Sequence, residues 1–321
     1  MAKTIYINTK AFPVQERHLA FLQEKLSGDI SLIPRSPEEM ADSDYANANA
    51  LIGFYPQDKL ASAAKLEWMQ LTTAGADAFS KPGILPEQTV LTNASGAYGL
   101  TVSEHMVAMT WDLVRHFGEY RLNQAAHRWE SCGDIISIEG ATILLLGMGD
   151  IGLRYARIMA ASGANVIGMR RHLKEKPECL ADQYTIDRLH DLLGQADIVA
   201  MILPGGEETE HIIGREELQM MKKGSYLINA GRGNAIDPAA LQEALESGHL
   251  RGAAIDVTEP EPLPADHPLW DVRNLLITPH VAGWWYLPET LERVVRIVGE
   301  NLAAYVQGRP LAHTVNRKLG Y

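Results

Sequence analysis

The chain has 321 residues, 46% of them hydrophobic, and a formal net charge of −11, a length that suggests about two domain-sized cores. An acidic balance of this size argues against sequence-independent nucleic-acid binding, which needs a basic face; no apolar run approaches the ~20 residues of a membrane span or forms the core of a secretion signal, so no membrane partner is expected. Cys132 and Cys179 match no CxxC or zinc spacing, so no metal centre is expected, and reduced thiols in a cytoplasmic setting are the default expectation.

In chain order, Thr4 to Ile7 reads as a short buried strand. Pro13 opens an amphipathic helix carrying Leu19, Leu22 and Leu26, which stops at Gly28. Strand-like Ile30 to Ile33 follows, then a helical segment near Pro37 to Met40, strand-like Ala50 to Phe54, a helix near Asp58 to Ala64, and strand-like Leu66 to Leu71. This β-α alternation predicts a small α/β domain with a doubly wound parallel sheet. Ligands of such sheets sit at the carboxyl ends of the strands. Two small-residue loops fall at such ends, Thr72 to Asp77 and Asn93 to Gly96; their backbone N–H groups suit an anion, and each alone also fits an ordinary turn. Thr101 to His116 and Glu119 to Trp129 are helical patterns that bridge to the next unit, so a domain boundary is expected near residue 100.

The next stretch organises the second unit. Apolar Ile143 to Leu146 ends in Gly147-Met148-Gly149-Asp150-Ile151-Gly152, an amphipathic helix follows, and Asn165 to Met169 reads as another strand. Gly147 allows the tight strand-to-helix turn, Gly149 lets a pyrophosphate approach the backbone, and Gly152 lets helix and strand pack closely. The helix N-terminus offers N–H groups and a positive dipole end to phosphates. A glycine turn alone is a weak signal; strand before and helix plus strand after make it a dinucleotide site.

The β-α rhythm then resumes. A helix at Asp187 to Leu193 leads to strand Ile198 to Leu203, which ends at Pro204. The helix Arg215 to Lys223 is expected to close with Gly224 in the αL position. Strand Tyr226 to Asn229 precedes Asp237 as N-cap and Pro238 as first residue of a helix running to Ser247-Gly248. Ala253 to Val257 and Leu275 to Thr278 complete about six parallel strands. A long amphipathic helix, Pro288 to Gln307, returns the chain to the first domain.

Three strand ends in this half carry polar loops: Asn229-Ala230-Gly231-Arg232-Gly233, Asp256 through Glu261 to Pro264, and Thr278-Pro279-His280-Val281-Ala282-Gly283. In a parallel sheet all three converge on the edge where a dinucleotide lies. An arginine, a carboxylate and a histidine there form a workable set for reducing a 2-oxo acid. Each alone also reads as a surface arginine, a loop carboxylate and a structural histidine.

With these loops, the Thr73-Ala74-Gly75-Ala76-Asp77 segment and the glycine turn in order, nearly the whole chain resembles the D-isomer-specific 2-hydroxyacid dehydrogenase family, of the glyoxylate/hydroxypyruvate reductase-like, NADP-type branch. The resemblance implies a flavodoxin-like substrate domain over 1–100 and 290–321 and an inserted Rossmann cofactor domain over 101–289. The family's catalytic Arg, Glu and His fall on Arg232, Glu261 and His280, its nicotinamide-holding Asp on Asp256, and its substrate-carboxylate loop on Ala74, Gly75 and Ala76. Leu203, Pro204, Ala230 and Gly283, at later strand ends, join the glycine turn as cofactor contacts. By this resemblance His280 donates a proton while hydride reaches C2 of the oxo acid, Glu261 keeps the imidazole charged, and Arg232 grips carboxylate and carbonyl oxygens with its planar fork. Formate dehydrogenases of the family carry a Gln where this chain has Glu261, which disfavours that branch.

One position departs from NAD-type members, which place an acidic residue at the end of the second strand for the ribose hydroxyl. Here Arg170 stands there, followed by Arg171, His172, Lys174 and Lys176. A basic cluster in an acidic protein suits a 2′-phosphate, so NADP(H) is favoured with NAD(H) possible; the other reading is a solvated loop. An NAD-linked phosphoglycerate dehydrogenase and a nicotinamide-binding corepressor remain as alternatives. Tyr98, Trp284, Trp285 and Tyr286 are candidates for a substrate side-chain wall or for core and dimer contacts. The family's dimers imply a homodimer.

Overall fold

The computed structural model describes residues 2–320. The chain forms two compact units, one made of the residues up to Tyr98 together with those from Trp285 on, the other of Gly99–Trp284.

The first unit holds β1 (Lys3–Ile7), β2 (Ile30–Pro34), β3 (Ala50–Ile52), β4 (Trp68–Gln70) and β5 (Val90–Thr92), all parallel and ordered β2-β1-β3-β4-β5. This is the flavodoxin-like doubly wound order. β3 and β4 are buried on both faces; β3 is apolar throughout, and Gln70 at the end of β4 is buried as a hydrogen-bonded polar residue. β5 is too short to stand out in the sequence, and its register comes from backbone pairing to β4. The first helix spans only Glu16–Gln23, with Leu26 in the turn before Gly28.

The terminal helix Pro288–Val306 belongs to this unit and packs against Glu16–Gln23. A buried polar network ties it to the sheet. Asn301 Nδ2 donates to Gln70 Oε1 at 2.8 Å and to the Ala312 carbonyl at 3.0 Å, and the Asn301 oxygen accepts from Ala312 N at 2.7 Å. Gln70 Oε1 also accepts from Thr92, whose hydroxyl accepts from the Trp68 indole, both at 2.8 Å. Such a network is favourable only when its members are satisfied, so it specifies where the helix docks.

The second unit holds β6 (Thr142–Leu146), β7 (Asn165–Arg170), β8 (Asp182–Thr185), β9 (Ile198–Met201), β10 (Tyr226–Asn229), β11 (Gly252–Ile255) and β12 (Leu275–Ile277). The order β12-β11-β10-β9-β6-β7-β8 is the Rossmann arrangement, with the switch point between β6 and β9. The sequence led us to expect about six strands; β8 is the additional one. Asp182-Gln183-Tyr184-Thr185 is polar and partly exposed, and it is a strand because it pairs with β7 from Ile167 to Arg170 at the sheet edge. The core beneath β6, β9 and β10 contains Leu144, Leu146, Val199, Met201 and Leu227.

Two helix ends differ from expectation. The helix from Arg215 stops at Met220, because Met221 turns extended, so Gly224 ends a turn beyond the helix rather than capping it. The pair of helices before β6 is Gly99–Val114 and Phe117–Ala125, separated by His116 in the left-handed region, and no helix continues to Trp129. Among the described residues no helix is long and apolar enough to cross a membrane.

Candidate active site

The glycine turn joins β6 to the helix Asp150–Ala161. Gly147 has φ +105°, and a Cβ there would lie 2.5 Å from the Ile202 carbonyl oxygen. A Cβ on Gly152 would lie 2.0 Å from the Gly147 carbonyl oxygen, so the helix can approach the strand only through this residue. Gly149 is different: a Cβ there would meet nothing within 4 Å. The space in front of the helix N-terminus is therefore open, and the first-turn N–H groups have no intrahelical partners. This cradle fits a pyrophosphate. Met148 is buried beneath the turn, against Gly168 of β7, while Asp150 is exposed and accepts from Arg154 Nε at 3.2 Å.

Arg170 is the last residue of β7, partly exposed and paired through its backbone with Thr185. Arg171 makes an ion pair with Glu208, which lies in the loop after β9. His172 is exposed. The basic cluster thus lies at the carboxyl end of the strand next to β6. Leu203 and Pro204 follow β9, where the Pro204 carbonyl accepts from the Thr209 hydroxyl at 2.9 Å.

Arg232 follows β10 in a loop shaped by Asn229, which is buried at the strand end. The Asn229 oxygen accepts from Gly231 N at 3.0 Å and its amide donates to the Arg232 carbonyl at 2.8 Å, stapling both sides of the loop. Ala230 is buried within this loop, and Arg232 Nη1 donates to the Gly231 carbonyl at 2.9 Å. Gly233 allows the next loop to come close, since a Cβ there would lie 1.9 Å from the Thr258 carbonyl oxygen.

Glu261 and His280 follow β11 and β12, adjacent strands of the sheet. His280 Nδ1 lies 2.5 Å from Glu261 Oε1, and both side chains are about half exposed. A carboxylate accepts, so Nδ1 carries the hydrogen and Nε2 is the nitrogen left for chemistry. His280 has φ +52°, a left-handed conformation that costs a residue with a Cβ about 1–3 kcal/mol. Asp256, buried at 2% exposure, holds the loop in it. Its carbonyl accepts from His280 N at 2.7 Å. Its carboxylate accepts from the Thr278 hydroxyl at 2.5 Å and from Val281 N and Ala282 N at 3.0 Å each. Gly283 ends this segment, half-buried.

In the first unit, the loop 73–77 follows β4. Asn93 Nδ2 donates to the Ala74 carbonyl at 2.7 Å, the Thr73 hydroxyl to the Gly75 carbonyl at 2.9 Å, and Ala94 N to the Thr73 carbonyl at 2.8 Å. The carbonyls are thus turned inward and occupied. No described bond uses the N–H groups of Ala74, Gly75 or Ala76, a pattern suited to an anion.

The aromatic residues separate into two sets. Tyr98 is buried, its hydroxyl donates to the Thr72 carbonyl, and burial pushes that hydroxyl's pKa up. Trp285 packs on Tyr98 and Phe12, with ring centroids 6.4 and 5.7 Å away. Trp284 and Tyr286, in contrast, are exposed. Sequence reasoning quoted Asn229 and Thr278 within the polar loops without giving them a supporting role, and missed His105, whose Nε2 lies 3.1 Å from the Thr278 hydroxyl. Asn229 and Thr278 each end or follow a strand beside a polar loop, which is a usable signal; His105, inside a helix, carries none.

Residues 107–282 match the family described as D-isomer specific 2-hydroxyacid dehydrogenase, NAD binding domain. The chain is 36% identical to a glyoxylate reductase of Aeropyrum pernix over 77% of this chain and 72% of that protein. It is 32% identical to a glyoxylate/hydroxypyruvate reductase B of an Enterobacter species, over 94% and 93% of the two chains. The structure of an NADPH-dependent glyoxylate/hydroxypyruvate reductase from Sinorhizobium meliloti, in complex with NADP and sulfate, superposes with a TM-score of 0.84 at 26% identity, covering 99% of this chain and 100% of that one.

Proposed function

The chain belongs to the D-isomer specific 2-hydroxyacid dehydrogenase family, and from that premise we propose that it reduces a small 2-oxo acid, of the size of glyoxylate or hydroxypyruvate, to the D-2-hydroxy acid with NADPH. The observation that carries this reading is the His280–Glu261 contact at 2.5 Å on adjacent strand ends, in the same sheet as the glycine cradle. When bound, the reduced nicotinamide is the hydride source for C2 of the oxo acid. His280 delivers the Nε2 proton to the oxygen that gains charge, and retains the Nδ1 hydrogen on Glu261. The Glu261 carboxylate lies against the Nδ1 side of the ring during this transfer. Arg232 supplies a cationic fork for carboxylate and carbonyl oxygens, and the N–H groups of Ala74, Gly75 and Ala76 suit a carboxylate.

Preference for NADPH rests on Arg170, with Arg171 and His172 as further donors to a 2′-phosphate. The structural relative from Sinorhizobium meliloti, described as NADPH-dependent and bound to NADP, supports this choice. Arg171 has to exchange its contact with Glu208 for the phosphate, which favours Arg170 as the first donor. Steady-state reduction of glyoxylate, hydroxypyruvate and larger 2-oxo acids, each with NADPH and NADH, tests the reading. A strong preference for NADH, or turnover of none of these acids, would reject it.

A homodimer working in the cytoplasm belongs to the same proposal. Phe117, Leu122, Trp129 and Ile135 are large apolar side chains exposed in the second unit, and Trp129 is fully so. An apolar group of this kind fits a subunit interface better than open solvent. Light scattering on the native protein and on Trp129→Glu distinguishes dimer from monomer. The free thiols Cys132 and Cys179 suit a reducing compartment.

A further inference from the structure

The helix Gly99–Val114 reaches the His280 loop at two points one helical turn apart. Thr101 Oγ1 donates to the Ala282 carbonyl at 2.9 Å, and His105 Nε2 lies 3.1 Å from Thr278 Oγ1 and 3.7 Å from Asp256 Oδ1. The hydrogens in this cluster can be assigned by counting. The Thr278 hydroxyl has one hydrogen, and at 2.5 Å from an Asp256 oxygen that also accepts from Val281 N, it points at the carboxylate. Its lone pair therefore faces His105, and Nε2 must carry a hydrogen and donate it.

We propose that His105 is a positioning residue for the proposed reduction: its Nε2–H donates to Thr278, the Thr278 hydroxyl donates to Asp256, and this relay holds the left-handed loop that presents His280. The relay has a reason to exist. His280 is strained at φ +52°, and Asp256 grips the loop through its own carbonyl as well as its carboxylate. A carboxylate whose partners could rotate away would hold that conformation less well; a hydroxyl that accepts from an imidazole on one side and donates to the carboxylate on the other is kept in one orientation. His105 touches neither His280 nor Glu261 in any described bond, so it acts only through Thr278 and Asp256.

The inference rests on His280 being the proton donor, and the test separates the two. In His105→Leu, kcat is expected to fall by about 3–10-fold, the effect of one lost hydrogen bond in a partly buried cluster, with KM for NADPH changed by less than about 2-fold, a change small in the same free-energy terms. His105→Gln, whose amide can donate to Thr278, should recover most of the loss. Thr278→Val should match His105→Leu, and the double variant should cost no more than either single one, because both cut the same relay. Thr278→Ser, which keeps the hydroxyl, covers the case in which the valine variant fails to fold. Equal losses in the Leu and Gln variants, additive losses, or a change confined to KM would overturn the proposal. Nitrogen-15 NMR of the histidines in the native protein reads the relay without turnover. A neutral His105 ring hydrogenated on Nδ1 rather than Nε2 would also overturn it. Failure of the wild type to reduce any 2-oxo acid would instead remove the functional reading, while the His105 tautomer would still report on the relay.

Discussion

The two units are both doubly wound parallel sheets, yet they prepare their strand ends in opposite ways. In the first, the loop 73–77 is made of small residues whose carbonyls are tied inward, leaving the backbone N–H groups of Ala74 to Ala76 as the surface proposed to meet the substrate carboxylate. In the second, Arg232, Glu261 and His280 present side chains, and the Arg232 and His280 loops are braced by the buried polar residues Asn229 and Asp256. The difference teaches what each task demands. Holding an anion needs only oriented dipoles, which any small-residue turn supplies. Moving a proton needs a titratable group at a set angle, and the brace that fixes the angle has to be a buried, fully hydrogen-bonded group.

If that contrast is right, damage to the second unit should appear in turnover and damage to the first in binding or stability. The largest effect is expected from His280→Ala, which should lower kcat by about 10²–10⁴-fold while leaving NADPH affinity nearly unchanged. Stopped-flow kinetics and a fluorescence titration of the cofactor check both halves; near-normal turnover would take His280 out of the mechanism. Next is Arg170→Ala, which should raise KM for NADPH by about 10–100-fold and barely affect NADH, given charge-assisted hydrogen bonds of roughly 1.5–3 kcal/mol each. Equal weakening of both cofactors would make the basic cluster a solvated loop.

A smaller effect tests the backbone site. Asn93→Ala removes the donor that turns the Ala74 carbonyl inward; KM for the 2-oxo acid should rise by about 3–10-fold with kcat little changed, and a loss confined to kcat would erase the contrast. The smallest effect concerns stability of the first unit alone. Burial pushes the Glu67 carboxyl up, but hydrogen bonds from Lys3 at 2.6 Å and Tyr305 at 2.8 Å outweigh it and hold its pKa below the usual 4.5. A carboxylate with a depressed folded-state pKa adds stability above its unfolded value and loses it as pH falls through the folded one. Glu67→Gln should therefore lower Tm near neutral pH and show a shallower further loss below about pH 4.5 than the wild type. Parallel Tm curves for the two proteins would show that the carboxylate makes no linked contribution.

Much of this architecture can be read locally. The glycine turn announces itself because a positive φ at Gly147 and a close helix contact at Gly152 each demand glycine, and Gly149 between them keeps the approach to the helix N-terminus open. The parallel sheets are legible because strands buried on both faces must be apolar throughout, and the order of Arg232, Glu261 and His280 after successive strands follows from chain connectivity. β8 was not legible: Asp182 to Thr185 has no apolar period, and only the exposed edge of β7 makes it a strand. Nor could the sequence separate Trp285, packed against Phe12 and Tyr98, from its exposed neighbours Trp284 and Tyr286, since three consecutive aromatics have no pattern that says which one faces inward.

The loop of His280 divides the two kinds of information most sharply. Its residue types and its place after β12 are written in the chain. Its left-handed backbone, the Asp256 clamp and the His105–Thr278 contact join positions up to 173 residues apart. Hydrogen bonds between distant segments leave no period in either one, so the sequence could name the residue proposed as proton donor, while the contacts that hold its loop were decided by tertiary structure.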